Sequence, residues 1–86
     1  MIVKVTKADI RNGCPCSSSD CPIALAIWRQ AKKKRIGVVR VRSRVVYINH
    51  QQIGLPDSAV HFMRHFDARD PVEPFEFYLD VDLNEI

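Results

Sequence analysis

The sequence predicts an α+β fold, a small single sheet packed against two main helices in the order β-α-β-β-α-β. Three observations carry this reading. Residues 2–6 and 75–83 alternate apolar and polar side chains, the two-residue period of a half-buried strand. The stretches 22–31 and 58–66 space their apolar residues at three and four, the period of a helix lying on a core. Between them, "RIGVVRVRSRVVYI" (35–48) is rich in valine, which suits strands better than helix. Long apolar strands alternating with a helix at every step are missing, so a doubly wound sheet fits poorly. A ferredoxin-like split arrangement is the natural candidate.

Each element has its own signal. In "IVKVT" (2–6), Val3 and Val5 share one face while Ile2, Lys4 and Thr6 share the other. "TKAD" (6–9) has the Ser/Thr-x-x-acid pattern of a helix start, predicting a short helix over 7–12 that Asn12-Gly13 stops. Residues 13–20 read as a loop. Pro22 suits the first helical position, where its missing N–H costs nothing. On the helix that follows, Ile23, Ala24, Ile27, Trp28 and Ala31 form an apolar arc, with Arg29, Gln30 and Lys33 opposite. Lys32 to Lys34 fall in its last turn, where cations complement the helix dipole.

In the valine-rich stretch Val39 and Val41 face one way and Arg40 and Arg42 the other. Ser43 either begins a tight turn or continues the strand. Asn49-His50 is a second turn candidate, since Asn tolerates left-handed backbone angles. One hairpin is expected, with a third short strand at 51–54. "LPDSAVHFMRHFDARD" (55–70) predicts a helix that Asp57 or Ser58 caps. Ala59, Phe62, Met63 and Phe66 make its apolar face, with Val60 at the edge, and Ser58, His61, Arg64 and His65 lie on the wet side. Pro71 and Pro74 end it. The last strand then points Phe75, Phe77, Leu79, Val81 and Leu83 to one face and Glu76, Tyr78, Asp80 and Asp82 to the other.

At 86 residues, residues 1–86 form a single domain, and 47% hydrophobic content suffices for a core. No apolar run approaches the roughly 20 residues of a membrane span. The N-terminal ten residues alternate and carry charge, unlike a secretory signal, so a cytoplasmic protein without membrane contact is expected. An exposed edge strand in so small a sheet makes a homodimer as credible as a monomer.

Charge is unevenly distributed. The net charge is +3, yet residues 21–56 hold no Asp or Glu while carrying Arg29, Lys32, Lys33, Lys34, Arg35, Arg40, Arg42 and Arg44. From Asp67 to the end the sign reverses. Arginines alternating along a strand present planar donor forks that suit phosphates. Lys32, Lys33, Lys34, Arg40, Arg42 and Arg44 are therefore candidates for binding nucleic acid, a nucleotide or another anion, with Tyr47 as a stacking surface. The opposing reading is compensation: the acidic last strand can neutralise this basic one if both lie in one sheet. That acidic strand, with Glu76, Asp80 and Asp82 around Tyr78, is also a candidate docking face for a basic protein partner.

The three cysteines, Cys14, Cys16 and Cys21, fall within eight positions of "NGCPCSSSDC" as C-x-C-x4-C. Zinc prefers four tetrahedral ligands, usually with a C-x2–4-C pair. The first pair here is tighter, and a fourth ligand would come from His61 or His65, whose H-x3-H spacing puts both rings on one helix face. The competing readings are a solvated histidine face and thiols without metal; no cofactor is expected, zinc being the one alternative. Cys21, next to Pro22, sits where helix amides favour a thiolate, which would suit a redox or nucleophilic role. No acid–base partner, phosphate-cradling glycine loop or known catalytic motif accompanies it, so no catalytic residue is assigned.

Around "CPIALAIW" the chain resembles a group of small uncharacterised proteins from bacteriophages, prophages and their bacterial hosts. The shared pattern is T-x-x-D-I after a short strand, here "TKADI" (6–10), then a Cys-Pro-Ile-Ala-Leu-Ala helix start, here 21–26. It closes with L-P, F-D and P-F-x-F-x-L, here Leu55-Pro56, Phe66-Asp67 and "PFEFYL" (74–79). The resemblance covers most of the chain, although each motif is short and mainly structural. It implies a non-enzymatic phage-type accessory protein that binds a host protein or ligand and redirects or blocks a host factor, defence systems included. Cys14, Cys16 and the arginine strand lie outside the shared pattern.

Overall fold

Strand β1 (Ile2–Val5) runs through helix α1 (Lys7–Asn12) and a loop into helix α2 (Pro22–Ala31). Three short strands follow, β2 (Val39–Arg42), β3 (Val45–Ile48) and β4 (Gln51–Gly54), then helix α3 (Asp57–Asp67) and strand β5 (Phe75–Tyr78). The computed structural model describes residues 1–31 and 37–81. The α+β class holds, but the single sheet does not. Among the described residues the strands form two sheets: β1 with β5, and β2-β3-β4 as an antiparallel meander.

The split has a local cause on β1. One edge of this strand pairs antiparallel with β5, Val3 opposite Phe77 and Lys4 opposite Glu76. Side chains of α2 occupy the other edge. The Lys4 N–H donates to Gln30 Oε1 at 2.6 Å, Gln30 Nε2 donates to the Ile2 carbonyl at 2.8 Å, and Arg29 donates to the Lys4 carbonyl at 2.8 Å. These contacts leave little of that edge for a third strand to take. A ferredoxin-like sheet needs just such a strand, so that order does not form.

Arg29 has a second task. Thr6 and Asp9 form a capping box at the start of α1, as the "TKAD" pattern predicts: Asp9 N–H donates to Thr6 Oγ1 and Thr6 N–H donates to Asp9 Oδ2. Asp9 is buried, and Arg29 reaches it with two donors, at 2.9 and 3.4 Å. Such a forked, charge-assisted contact fixes the angle between α1 and α2. Nothing in the sequence marks it, because helical periodicity puts Arg29 on the solvent side.

Helix α2 packs on α1, β1 and β2. Ile23 and Ile27 are fully buried, each stabilising the fold by about 1.5–3 kcal/mol. Ala24, Ala26 and Ala31 are also fully buried, and their small side chains allow neighbours to approach from several directions. The expected apolar arc is thus displaced: Ala26 lies inside, and Trp28 is 42% exposed. Gly13 stops α1 as expected. Its backbone is extended (φ −74°), not left-handed, and its lack of a side chain matters because a Cβ would stand 2.7 Å from the Pro22 ring.

Both turns of the meander are two-residue loops. Ser43, left open by its sequence context, begins the first with φ 51°, and Asn49 begins the second with φ 54°. Asn49 Oδ1 also accepts from the Gly37 and Val38 amides at 2.8 and 3.2 Å. The strand at 51–54 is present as β4. Helix α3 starts without a side-chain cap: Pro56 takes the cap position and Asp57 is already helical. It joins the β1–β5 sheet through stacked rings, Phe66 on Phe62, Phe62 on Phe75 at 4.5 Å, and Phe75 on Phe77. Its C-terminus is a Schellman turn, in which Arg69 at φ 65° donates to Phe66 O and Asp70 donates to His65 O.

The capping box sets an acid limit on stability. Burial alone raises the Asp9 pKa, but hydrogen bonds from Arg29 and Thr6 and the Arg29 charge outweigh it and hold it below the ordinary 3.8. A depressed folded-state pKa contributes stability above the unfolded value and loses it as pH falls through the folded one. Urea unfolding of Asp9→Asn is expected to show a loss of about 1–2 kcal/mol at neutral pH. The same variant is expected to lose less further stability than the parent between about pH 5 and pH 2.

Candidate functional site

The strongest candidate site grows from the alternation in β2. Val39 and Val41 are buried, which drives Arg40 and Arg42 to the outer face of the meander. Register places Tyr47 and then Gln52 beside Arg40, and Val45 and then Gly54 beside Arg42. Val38, Arg40, Arg42, Tyr47 and His50 line a shallow depression of 360 Å³ on that face. The β2–β3 turn then carries Arg44 outward from the end of the strand.

Arg42 and Arg44 also line a larger cleft of 590 Å³, between the β2–β3 turn, the loop after α1 and helix α3. Arg64 of α3 joins them there, with Ser17 and Ser18 from the loop. The Val41 N–H donates to the Ser18 carbonyl at 2.8 Å, so the loop seals the outer edge of β2 and forms one wall. Asp67 closes the lower end, its Oδ1 accepting from the Cys16 amide at 2.9 Å. Among the described residues, Arg40, Arg42, Arg44 and Arg64 have no carboxylate within ion-pair distance. Sequence reasoning misses Arg64, which looks like any other residue on the wet side of an amphipathic helix.

Charge compensation between the basic and acidic strands is overturned. β2 pairs with β3, and β5 pairs with β1. Glu76 and Tyr78 are exposed on the separate sheet, where Glu76 faces Lys4, and exposed Asp80 follows. Tyr78 is 61% exposed beside its register partner Ile2 at 49%. Lys32, Lys33, Lys34 and Asp82 lie outside the described residues.

The proposed Cys/His cluster does not assemble. Cys14 and Cys16 are exposed in the loop and Cys21 is buried. His61 and His65 pair with each other on α3. Among the described residues no three of His, Cys, Asp and Glu converge as a metal-holding group. Cys21 does sit at the start of α2, its Sγ accepting the Ala24 N–H at 3.4 Å. Its expected low pKa is reversed: burial pushes the thiol up, the Asp67 charge adds to it, and the Ala24 and Ile23 amides do not offset them.

No protein-family model, curated protein or solved structure matches the chain. Among the described residues no helix is long and apolar enough to cross a membrane.

The cysteine geometry predicts a split thiol reaction. With an aromatic disulfide reagent in mildly alkaline buffer, Cys14 and Cys16 are expected to react at once and Cys21 only after denaturant is added. Three equally fast thiols would contradict the buried, protonated Cys21.

Proposed function

We propose that the protein is a non-enzymatic binding module for nucleic acid, gripping the phosphate backbone with the outer face of the β2–β3–β4 sheet and the adjoining cleft. One observation carries the reading: among the described residues Arg40, Arg42, Arg44 and Arg64 form a surface without ion-pair partners, on and beside a sheet that holds no Asp or Glu. Exposed guanidinium groups in a concave, carboxylate-poor surface attract phosphates and align them bidentately. Tyr47, between Arg40 and Gln52, offers a base a ring to stack on. A cleft of 590 Å³ has room for a short piece of single strand. The resemblance to phage-type proteins does not bear on this surface, because the arginine strand lies outside the shared pattern.

A second reading has a host protein as ligand, docked on the β1–β5 sheet. It is favoured by the exposed Ile2–Tyr78 pair flanked by Glu76 and Asp80. The two surfaces belong to different sheets, so single substitutions separate them.

Fluorescence anisotropy with short single-stranded DNA and RNA, repeated over a range of salt, tests the proposal. Affinity is expected to fall steeply with salt, and Arg42→Ala to reduce the slope by about 0.7, the share of one phosphate contact on a single strand. Tyr78→Ala is expected to leave affinity unchanged. Absent or salt-independent binding contradicts the proposal, and sensitivity to Tyr78 in place of Arg42 favours the protein-docking reading.

A further inference from the structure

The wet face of α3 holds a second arrangement that the arginine cleft does not use. Val60, Met63, Arg64 and Asp67 face that cleft, whereas Ser58, His61, Phe62 and His65 line a separate one of 320 Å³. Pro71, Val72, Glu73, Pro74 and Phe75 complete the second cleft. Within it the Nε2 atoms of His61 and His65 stand 3.1 Å apart. Two imidazole nitrogens bound at about 2.0–2.1 Å to one tetrahedral ion lie about 3.3 Å apart. The pair is therefore within a few tenths of an ångström of a two-point chelate. We propose that His61 and His65 bind a divalent transition cation, with zinc as the reference ion, independently of the cysteines.

The surroundings of His65 carry the proposal beyond helical spacing. Its Nδ1 lies 3.1 Å from Asp70 Oδ2. A carboxylate only accepts, so Nδ1 carries a proton, and in the neutral ring the Nε2 lone pair then faces His61. This is the carboxylate–histidine–metal arrangement that fixes ligand tautomer and raises ligand basicity. The Schellman turn builds it: Arg69 adopts φ 65°, and the Asp70 amide donates to the His65 carbonyl at 2.9 Å, which returns the Asp70 side chain over the ring. Asp70 stands on the far side of His65 from the ion and orients it without ligating. With His65 in that tautomer, the contact between the two rings is a hydrogen bond donated by His61 Nε2. A ligating Nε2 carries no proton, so in the bound state His61 holds its proton on Nδ1. Imidazole nitrogen selects zinc, copper or nickel over magnesium or calcium. The remaining coordination positions open towards water and the cleft that Glu73 lines.

The test is isothermal titration of Zn²⁺ into the full chain carrying Cys14→Ser and Cys16→Ser, which removes the exposed thiols as competing ligands. One equivalent is expected to bind. His61→Gln and His65→Gln, each added to that background, are expected to weaken binding at least about tenfold, and Asp70→Asn about tenfold. All are exposed positions, so far-ultraviolet circular dichroism is expected to stay unchanged. Imidazole ¹⁵N signals of both histidines are expected to shift on saturation. No saturable binding in the serine background, or binding that survives either glutamine substitution in a folded protein, overturns the proposal.

Discussion

The fold depends on helix α2 packing against both sheets at once. Ten residues do this because Ala24, Ala26 and Ala31 keep the helix thin where neighbours crowd it, while Ile23 and Ile27 fill the core. Its polar side chains are tied into the fold as firmly as its apolar ones. Gln30 and Arg29 stand where a strand would pair with β1, and Arg29 also reaches the capping carboxylate of α1. An exposed salt bridge alone would add little. This one matters because Asp9 is buried and because the same guanidinium closes a strand edge.

The two sheets separate the charges. β5, with Glu76, lies in the two-stranded sheet, and the arginine strand belongs to the other. The basic surface therefore keeps its charge, and the uneven sequence distribution becomes an uneven molecular surface. Helix α3 presents different faces to two clefts, adding Arg64 to the basic one and the histidine pair to the other. The anion-binding and cation-binding proposals rest on different residues and stand or fall separately.

Local signals are legible in the sequence and long-range ones are not. The capping box at Thr6, the alternation of Val39 to Arg42, the turn at Asn49 and the start of the last strand follow from spacing and residue type alone; the expected extension of that strand past Tyr78 is not there, since Val81 N–H turns back onto the Leu79 carbonyl. Trp28 falls on the expected apolar arc because a helical wheel assumes one buried face, whereas α2 is packed on several sides. Cys21 reads as a low-pKa thiol because position at a helix start is visible in sequence and burial is not. A single sheet is the natural expectation because nothing in "RQ" (29–30) announces that these side chains replace a strand. Arg64 is invisible for the related reason that its neighbours in the cleft, Arg42, Arg44 and the serine loop, come from elsewhere in the chain.

The most direct test of where this protein binds is an amide ¹H–¹⁵N titration with a short single-stranded oligonucleotide. The account predicts shifts concentrated at residues 40–47, at Cys16 to Ser18 and at Arg64, with the β1–β5 strands still. Shifts confined to Ile2–Val5 and Phe75–Tyr78, or none at saturating oligonucleotide, would contradict it.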